Sequence, residues 1–377
     1  MRYVVSCGGT GGHINPGLSI AAVIKKHEPD AQILFIGAPY GMEKKLVPAK
    51  GYDIRYVKVR GFSRSLRLSN IDALIKSVTS VFAAKRIIRE FKPDAVIGTG
   101  GYASWAALRA AASLGLPTVI HEQNAFPGVT TKMLSKHVGQ VCISFEESRR
   151  FFDDSVSNKL VFTGNPVNTE AFSVSRERAR RELGIGEDTV YILSAGGSLG
   201  ADMVNSFCLD MMKSFVSSLP FDLKWRQTHA TGAAGREKYF ARAAELGLDK
   251  CENIEIVEYI YDMPLRMAAA DIVISRAGAI TLSELAFLGR AAVLIPSPNV
   301  AEDHQYRNAK VLADAGAAIV LRESECNAEK LAGTVRGLVT DVSARAALAR
   351  NIRKFAAPGA DERIYERIRL SVENARK

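Results

Sequence analysis

The chain has 377 residues, 47% apolar and 24% charged, ordinary globular proportions that exclude a disordered tail, a collagen-like repeat and a small disulfide scaffold. At roughly 150 residues per domain the length predicts two compact domains. Fifty Lys and Arg against 40 Asp and Glu give a formal charge of +10, which favours an anionic partner such as nucleic acid, an acidic lipid surface or a phosphate substrate.

Met1-Arg2-Tyr3-Val4-Val5-Ser6 runs straight into a strand-like segment, without the apolar run of a signal peptide. The longest apolar stretch, 103–116, is interrupted by Arg109 and falls short of the roughly 20 residues of a spanning helix, so no membrane crossing is expected. The five cysteines are scattered without a C-x-x-C pair, which fits the cytosol.

Taken in chain order, short runs rich in Val, Ile and Leu predict strands at 3–7, 32–36, 95–98, 118–121, 191–195, 271–275 and 292–296. Longer segments of helical period lie between them, the pattern of βαβ units on a mostly parallel sheet. Val4-Val5-Ser6-Cys7-Gly8-Gly9-Thr10-Gly11-Gly12 is echoed half a chain later by Ile192-Leu193-Ser194-Ala195-Gly196-Gly197-Ser198-Leu199-Gly200. Each copy is an apolar strand ending in a Gly-rich turn before a helix. The fold class is therefore α/β, with two similar doubly wound domains and a cleft expected between them. Thr163-Gly164-Asn165-Pro166 marks the boundary, giving domains over 1–163 and 164–350 and a tail over 351–377, with a charged helix expected at 175–183.

A Gly-rich turn after a parallel strand puts backbone N–H groups and a helix N-terminus at the carboxyl edge of the sheet, where anions bind. Neither turn has the spacing of a P-loop, and either could be a tight turn that binds nothing. Gly98-Thr99-Gly100-Gly101-Tyr102-Ala103 matches G-x-G-x-x-A, with Glu122 beyond the next strand. A dinucleotide site belongs in the first βα turn, however, and that turn lacks the spacing, so a nicotinamide enzyme ranks behind other readings.

His13 closes the first Gly-rich turn, either as a general base near neutral pH or as a capping or packed histidine. His121-Glu122-Gln123-Asn124 adds polar groups at the same edge, unless it merely caps the next segment or is solvated. In the second half, Ser275-Arg276-Ala277-Gly278-Ala279 follows a strand and feeds a helix beginning Ile280-Thr281-Leu282-Ser283-Glu284. Its N-terminus would face an anion, with Glu284 either accepting from a ribose or complementing the helix dipole. The polar stretch Glu302-Asp303-His304-Gln305-Tyr306-Arg307-Asn308, after Pro296-Ser297-Pro298, is another loop after a strand or ordinary surface. There is no D-x-D and no metal-ligand spacing, so neither a metal nor another cofactor is implied.

Together, Gly8-Gly9-Thr10-Gly11-Gly12-His13-Ile14-Asn15-Pro16-Gly17, Gly98 to Tyr102, His121-Glu122-Gln123-Asn124, Thr163-Gly164-Asn165-Pro166-Val167, Gly196-Gly197-Ser198 and Ser275 to Glu284 stand in the order of one family. The chain resembles the MurG family, transferases that convert lipid I into lipid II with UDP-N-acetylglucosamine. The resemblance implies a GT-B fold and an inverting, metal-independent transfer to the muramyl C4 hydroxyl, at the cytoplasmic face of the plasma membrane. It places the uracil near Ile260, the diphosphate beside Ser198 and the ribose against Glu284, with Ala279, Ile280, Thr281, Leu282 and Ser283 completing that segment. Gln305 and Asn124 would hold the donor sugar. Thr10, Gly11 and Gly12 would meet the acceptor and sugar, with His13 as base and the C-terminal helix crossing back to the first domain. Asn168 stands where the family often has Arg, Leu199 where Gln is common and Thr131 where Asn is frequent.

Segment 55–89 carries Arg55, Lys58, Arg60, Arg64 and Arg67 with Phe62 and Leu66 interleaved, then Ile71, Leu74, Ile75, Val78 and Phe82 at helical spacing beside Lys76, Lys85, Arg86 and Arg89. It reads either as a surface for acidic lipid or as a core stripe with a solvated flank. A glycolipid glycosyltransferase, a UDP-N-acetylglucosamine epimerase and a non-catalytic basic binding protein are the alternatives. No RNP motif or zinc finger supports nucleic acid, and a homo-oligomer is compatible with the sequence.

Overall fold

Strands covered on both faces need apolar side chains at successive positions, and the Val, Ile and Leu runs supply them. The computed structural model describes residues 1–59, 69–197, 200–220 and 222–377, with side chains at 69–77 outside the description. It divides into one unit of Met1–Val167 with Ala357–Lys377 and another of Asn168–Ala356.

The first unit runs β1 (Arg2–Ser6), α1 (Gly11–His27), β2 (Gln32–Gly37), α2 (Glu43–Leu46), β3 (Asp53–Tyr56), α3 (Ser69–Phe91), β4 (Ala95–Gly98), α4 (Gly101–Ser113), β5 (Thr118–Glu122), α5 (Val129–Ser135), β6 (Gln140–Ile143) and β7 (Leu160–Phe162). Its sheet has the order β3-β2-β1-β4-β5-β6-β7, every pair parallel. The second unit runs α6 (Arg176–Glu182), β8 (Val190–Ala195), α7 (Asp202–Ser218), β9 (Trp225–Ala230), α8 (Arg236–Glu245), β10 (Ile254–Val257), α9 (Met263–Ala269), β11 (Ile272–Ser275), α10 (Ala279–Leu288), β12 (Ala291–Leu294), α11 (His304–Asp314), β13 (Ile319–Val320), α12 (Ala328–Thr340) and α13 (Val342–Arg353). Its parallel sheet has the order β10-β9-β8-β11-β12-β13.

In each sheet the strand order reverses beside the strand that carries the Gly-rich turn, between β1 and β4 and between β8 and β11. Such a switch point leaves a crevice outside the carboxyl ends of the strands, the ligand position of open α/β sheets. The register Ser6↔Gly98 and Ser275↔Ala195 brings the ends of each pair level, so two turns flank each crevice.

The join differs slightly from the sequence reading. Gly164-Asn165-Pro166 stays with the first unit, because the Gly164 carbonyl meets His121 Nε2 at 3.0 Å and Asn165 Nδ2 donates to the Gln123 carbonyl at 3.1 Å. The tail also differs, since 351–356 remains with the second unit, where Asn351 Nδ2 donates to the Gly316 carbonyl at 3.0 Å. The last helix, α14 (Ala360–Arg376), buries Ile364, Ile368 and Val372 against Tyr3, Val5, Ile24 and Ile97. Their spacing of four residues makes one apolar stripe. Arg369 pairs with Glu28 at 3.1 Å, and Arg363 Nη2 donates to the Thr163 carbonyl at 2.7 Å.

Candidate functional site

At the first switch point, β1 ends in a turn that no capping side chain closes. Thr10 is the N-cap of α1 with an extended backbone and no side-chain cap bond, and Gly11 and Gly12 form the first turn. What holds this turn is a residue the sequence reading missed. Glu43, on α2, is fully buried; its Oε2 accepts from Gly9 N at 3.1 Å and its Oε1 from Ala38 N at 2.8 Å. Gly37 and Gly41 make room for it, since a Cβ on either would come within 2.6 Å of the Glu43 side chain. A short, locally unremarkable helix therefore carries the strut of the Gly-rich turn, visible only once β2 lies beside β1.

The G-x-G-x-x-A segment serves the same turn rather than a dinucleotide. Gly101, at φ +81°, lies against the Gly8 carbonyl, and Gly100, at φ +112°, lies under the imidazole of His13, where a Cβ would sit 2.5 Å from Nδ1. Thr99 Oγ1 donates to the His13 carbonyl at 2.7 Å, and Ser104 Oγ donates to the Ser6 carbonyl at 2.7 Å. The imidazole is thus seated on backbone that only glycine allows.

Its protonation pattern is set by a chain of hydrogen bonds. His121 is wholly buried at the end of β5, and burial pushes its pKa down to about 4, so the ring is neutral. Its Nε2 meets the Gly164 carbonyl at 3.0 Å, an acceptor only, so the proton belongs on Nε2 and Nδ1 accepts from Gln123 Nε2 at 2.9 Å. The Gln123 amide is thereby oriented with Oε1 towards His13 Nδ1, 3.1 Å away, which must donate. In the neutral tautomer that this contact selects, the lone pair of His13 lies on Nε2, the nitrogen a general base would use.

Glu122 is buried rather than solvated, accepting from Asn124 N and Nδ2, each at 3.0 Å, and from Gly128 N at 3.1 Å. It shapes the loop that carries Asn124, with both oxygens engaged by that loop.

At the second switch point, Ser198 and Leu199 lie outside the described residues. The flanking Gly197, at φ +95°, and Gly200, at φ +82°, hold the turn between β8 and α7, whose N-cap is Ala201. Ala279, Ile280, Thr281, Leu282, Ser283 and Glu284 form the first turns of α10, with Gly278 as N-cap and no capping side chain or first-turn acid. An α-helix offers first-turn N–H groups that it does not itself bond, so both helix starts leave backbone donors that an anion could use. Burial raises the Glu284 carboxyl to about 7. Gln305 lies beside the same N-cap, its Oε1 accepting from Ala277 N at 3.3 Å and Ser297 N at 2.9 Å and tying the loops after β11 and β12 together. The polar stretch 302–308 that contains it is mostly helical, with α11 starting at His304 after Glu302 and Asp303, both at positive φ.

Ile260 is buried between β10 and α9, next to the edge-to-face pair Tyr259 and Tyr261. Asn168 is exposed, and its Oδ1 accepts from Ala171 N at 3.3 Å. Arg276, a natural candidate for a phosphate, is already committed to the Ile295 carbonyl at 3.1 Å and to Glu323.

Residues 3–143 match the glycosyltransferase family 28 N-terminal domain and residues 191–364 its C-terminal domain. The UDP-N-acetylglucosamine--N-acetylmuramyl-(pentapeptide) pyrophosphoryl-undecaprenol N-acetylglucosamine transferase of Acetivibrio thermocellus is 45% identical, over 99% of either chain. The crystal structure of Acinetobacter baumannii MurG is similar with a TM-score of 0.78 and 30% identity, covering 98% of this chain and 99% of that one. The chain belongs to the MurG family. Its two Rossmann-like units are those of GT-B glycosyltransferases, and as a MurG-family chain it is a UDP-N-acetylglucosamine-dependent hexosyltransferase. UDP-GlcNAc 2-epimerase from Neisseria meningitidis shares the fold alone, at 14% identity and a TM-score of 0.68 over 98% of this chain and all of that one.

Proposed function

We propose that the chain transfers N-acetylglucosamine from UDP-N-acetylglucosamine to the C4 hydroxyl of the muramyl sugar of lipid I, giving β-1,4-linked lipid II. Full-length identity to transferases named for this reaction carries the choice of substrates. The hydrogen-bond chain that ends on His13 supports the mechanism.

His13 Nε2 takes the proton of the C4 hydroxyl as that oxygen attacks the anomeric carbon. The bond from that carbon to the diphosphate breaks on the opposite face, UDP leaves with the electron pair, and one displacement inverts the centre. Thr10, Gly11 and Gly12 face the acceptor and sugar, and Asn124 and Gln305 hold the sugar. The turn at Ser198 and the start of α10, 279–283, meet the diphosphate without a metal, Ile260 lies near the uracil, and Glu284 accepts from the ribose. Asn168 offers a neutral hydrogen bond where relatives often carry Arg. The first unit, Met1–Val167 with Ala357–Lys377, takes the acceptor, and the second, Asn168–Ala356, the nucleotide sugar.

Docking to an acidic membrane at its cytoplasmic face belongs to the same proposal. Val78 and Phe82 of α3 are exposed, while Ala84, Ile87 and Ile88 are buried, so the helix has a core stripe and a separate apolar face beside Lys85, Arg86 and Arg89. Arg55 pairs with Glu90 at 2.6 Å; Arg60, Phe62, Arg64, Leu66 and Arg67, with the side chains of Ile71, Leu74, Ile75 and Lys76, lie outside the described residues. No helix among the described residues is long and apolar enough to cross a membrane.

UDP release from UDP-N-acetylglucosamine in EDTA, with and without a lipid I analogue, tests the reaction. Acceptor-dependent release with a β-1,4 product is expected. Conversion without acceptor would mean epimerisation, and no turnover would mean a binding protein. Sedimentation with phosphatidylglycerol vesicles, weakened by Phe82→Ser, tests docking.

A further inference from the structure

At the amino ends of the strands in the second sheet, the edge opposite the Gly-rich turn, Val190 of β8, Asp271 just before β11 and Ala291 of β12 meet α13 around a cavity of about 450 Å³. Arg176, Arg290 and Arg345 line it. Arg180 lies behind Asp271, and the stem of Arg353 covers Gly289, where a Cβ would sit 2.0 Å from Arg353 Nε.

The acids of the lining do not balance these five guanidinium groups. Asp271 is saturated, with Oδ1 accepting from Arg176 Nη2 at 2.7 Å and Oδ2 from Arg180 Nη1 at 3.1 Å and Tyr191 N at 2.8 Å. Asp188 pairs with Lys224 at 2.5 Å, and the exposed Glu187 with Arg176 at 3.2 Å. Arg345 spends Nη1 on carbonyls at the end of α12, at 2.8 Å for Val339. Arg290 is left over. Its Nε is buried with no hydrogen-bond partner among the described residues, and burial together with Arg176, Arg353 and Arg180 pulls the guanidinium down to about 10, against the weaker opposing pull of Asp271.

We propose that this cavity is a second anion site, taking a compact phosphate or diphosphate between Arg290, Arg345 and Arg176. A planar guanidinium with unmet N–H donors matches the oxygens of a phosphoryl group, and the bound charge would relieve the repulsion among the arginines. The site lies at the other end of the strands from the nucleotide turns, so it can fill while the donor site is occupied and can act as an effector site for that half of the chain. It does not depend on which sugar nucleotide the enzyme uses.

The test is isothermal titration of the full chain with inorganic diphosphate, and in a separate arm inorganic phosphate, at saturating UDP so that the Gly-rich turn is closed to either. Saturable binding of one anion is expected, weakened at least 10-fold by Arg290→Gln. Ala346→Glu puts a carboxylate into the cavity from α13; it should abolish that binding and raise Tm in the absence of anion, with UDP affinity unchanged. This second variant decides the matter should Arg290→Gln fail to fold. No saturable binding beside UDP, or binding that neither variant alters, overturns the proposal. If UDP itself does not bind, the transferase reading fails separately, and the same titrations without UDP still decide this one.

Discussion

The two Gly-rich turns begin from nearly the same strand–turn–helix unit and end as different devices. The first is buttressed by side chains, with Glu43 beneath Gly9, Thr99 on the His13 carbonyl, and Gln123 and His121 fixing which nitrogen of His13 carries its proton. The second has bare N-caps at Ala201 and Gly278 and a partly buried carboxyl at Glu284 whose pKa is raised. A proton-transfer group needs one orientation and one tautomer, which only a surrounding shell of hydrogen bonds supplies. An anion cradle needs exposed backbone donors, and extra side-chain caps would compete for them.

The contrast is broken most severely at His13. His13→Ala should lower kcat by about 10²–10⁴-fold and leave UDP affinity nearly unchanged, because the proposed base and the proposed nucleotide site belong to different units. Equal losses in both, measured by initial rates and UDP titration, would remove His13 from its role. Gln123→Met leaves the imidazole in place but takes away the acceptor for Nδ1; kcat should fall by roughly 10–100-fold, with the pH profile altered and UDP affinity intact. An unchanged pH profile would reduce Gln123 to packing.

Smaller effects fall on stability. Glu43→Gln puts an amide donor against the N–H groups of Ala38 and Gly9 and should cost about 1–3 kcal/mol, read as a lower Tm. His121 and Glu284 titrate with opposite signs. The pKa of His121 is depressed to about 4, so the unfolded chain binds the extra proton and stability is lost as pH falls from about 6.5 to 4; His121→Gln should flatten that limb of the Tm curve. Glu284 is raised from 4.5 to about 7, so the folded chain holds the extra proton and stability declines as pH rises through that window. Glu284→Gln should therefore stabilise by about 1 kcal/mol above pH 7, while weakening UDP binding through the proposed ribose contact. A variant less stable at pH 8 would mean that Glu284 has a stabilising partner.

The repeated strand-turn motif and the apolar runs were legible because a buried parallel strand must be apolar along its length and a close backbone turn must be glycine. Among the strands absent from the sequence prediction, β3 and β9 were missed for opposite reasons. β3, at Asp53–Tyr56, is an edge strand with exposed polar positions. β9 buries Gln227, Thr228 and His229, which are polar in sequence and find hydrogen-bond partners only on neighbours such as Ser194 and Tyr191 on β8. Neither gives the apolar signal on which a strand prediction rests.

Local sequence by itself determined the α/β class, the two halves and the placing of His13 and Glu284 at turn and helix starts, since these follow from residue periodicity and from the conformations glycine permits. Only tertiary structure decided that Gln123 is the partner of His13, that Glu43 props the first turn, that Arg276 is already spent and Arg290 is not, and that Val78 and Phe82 stay exposed. Hydrogen bonds and burial join residues 30 or more positions apart, and no pattern along the chain records which distant groups the packing brings together.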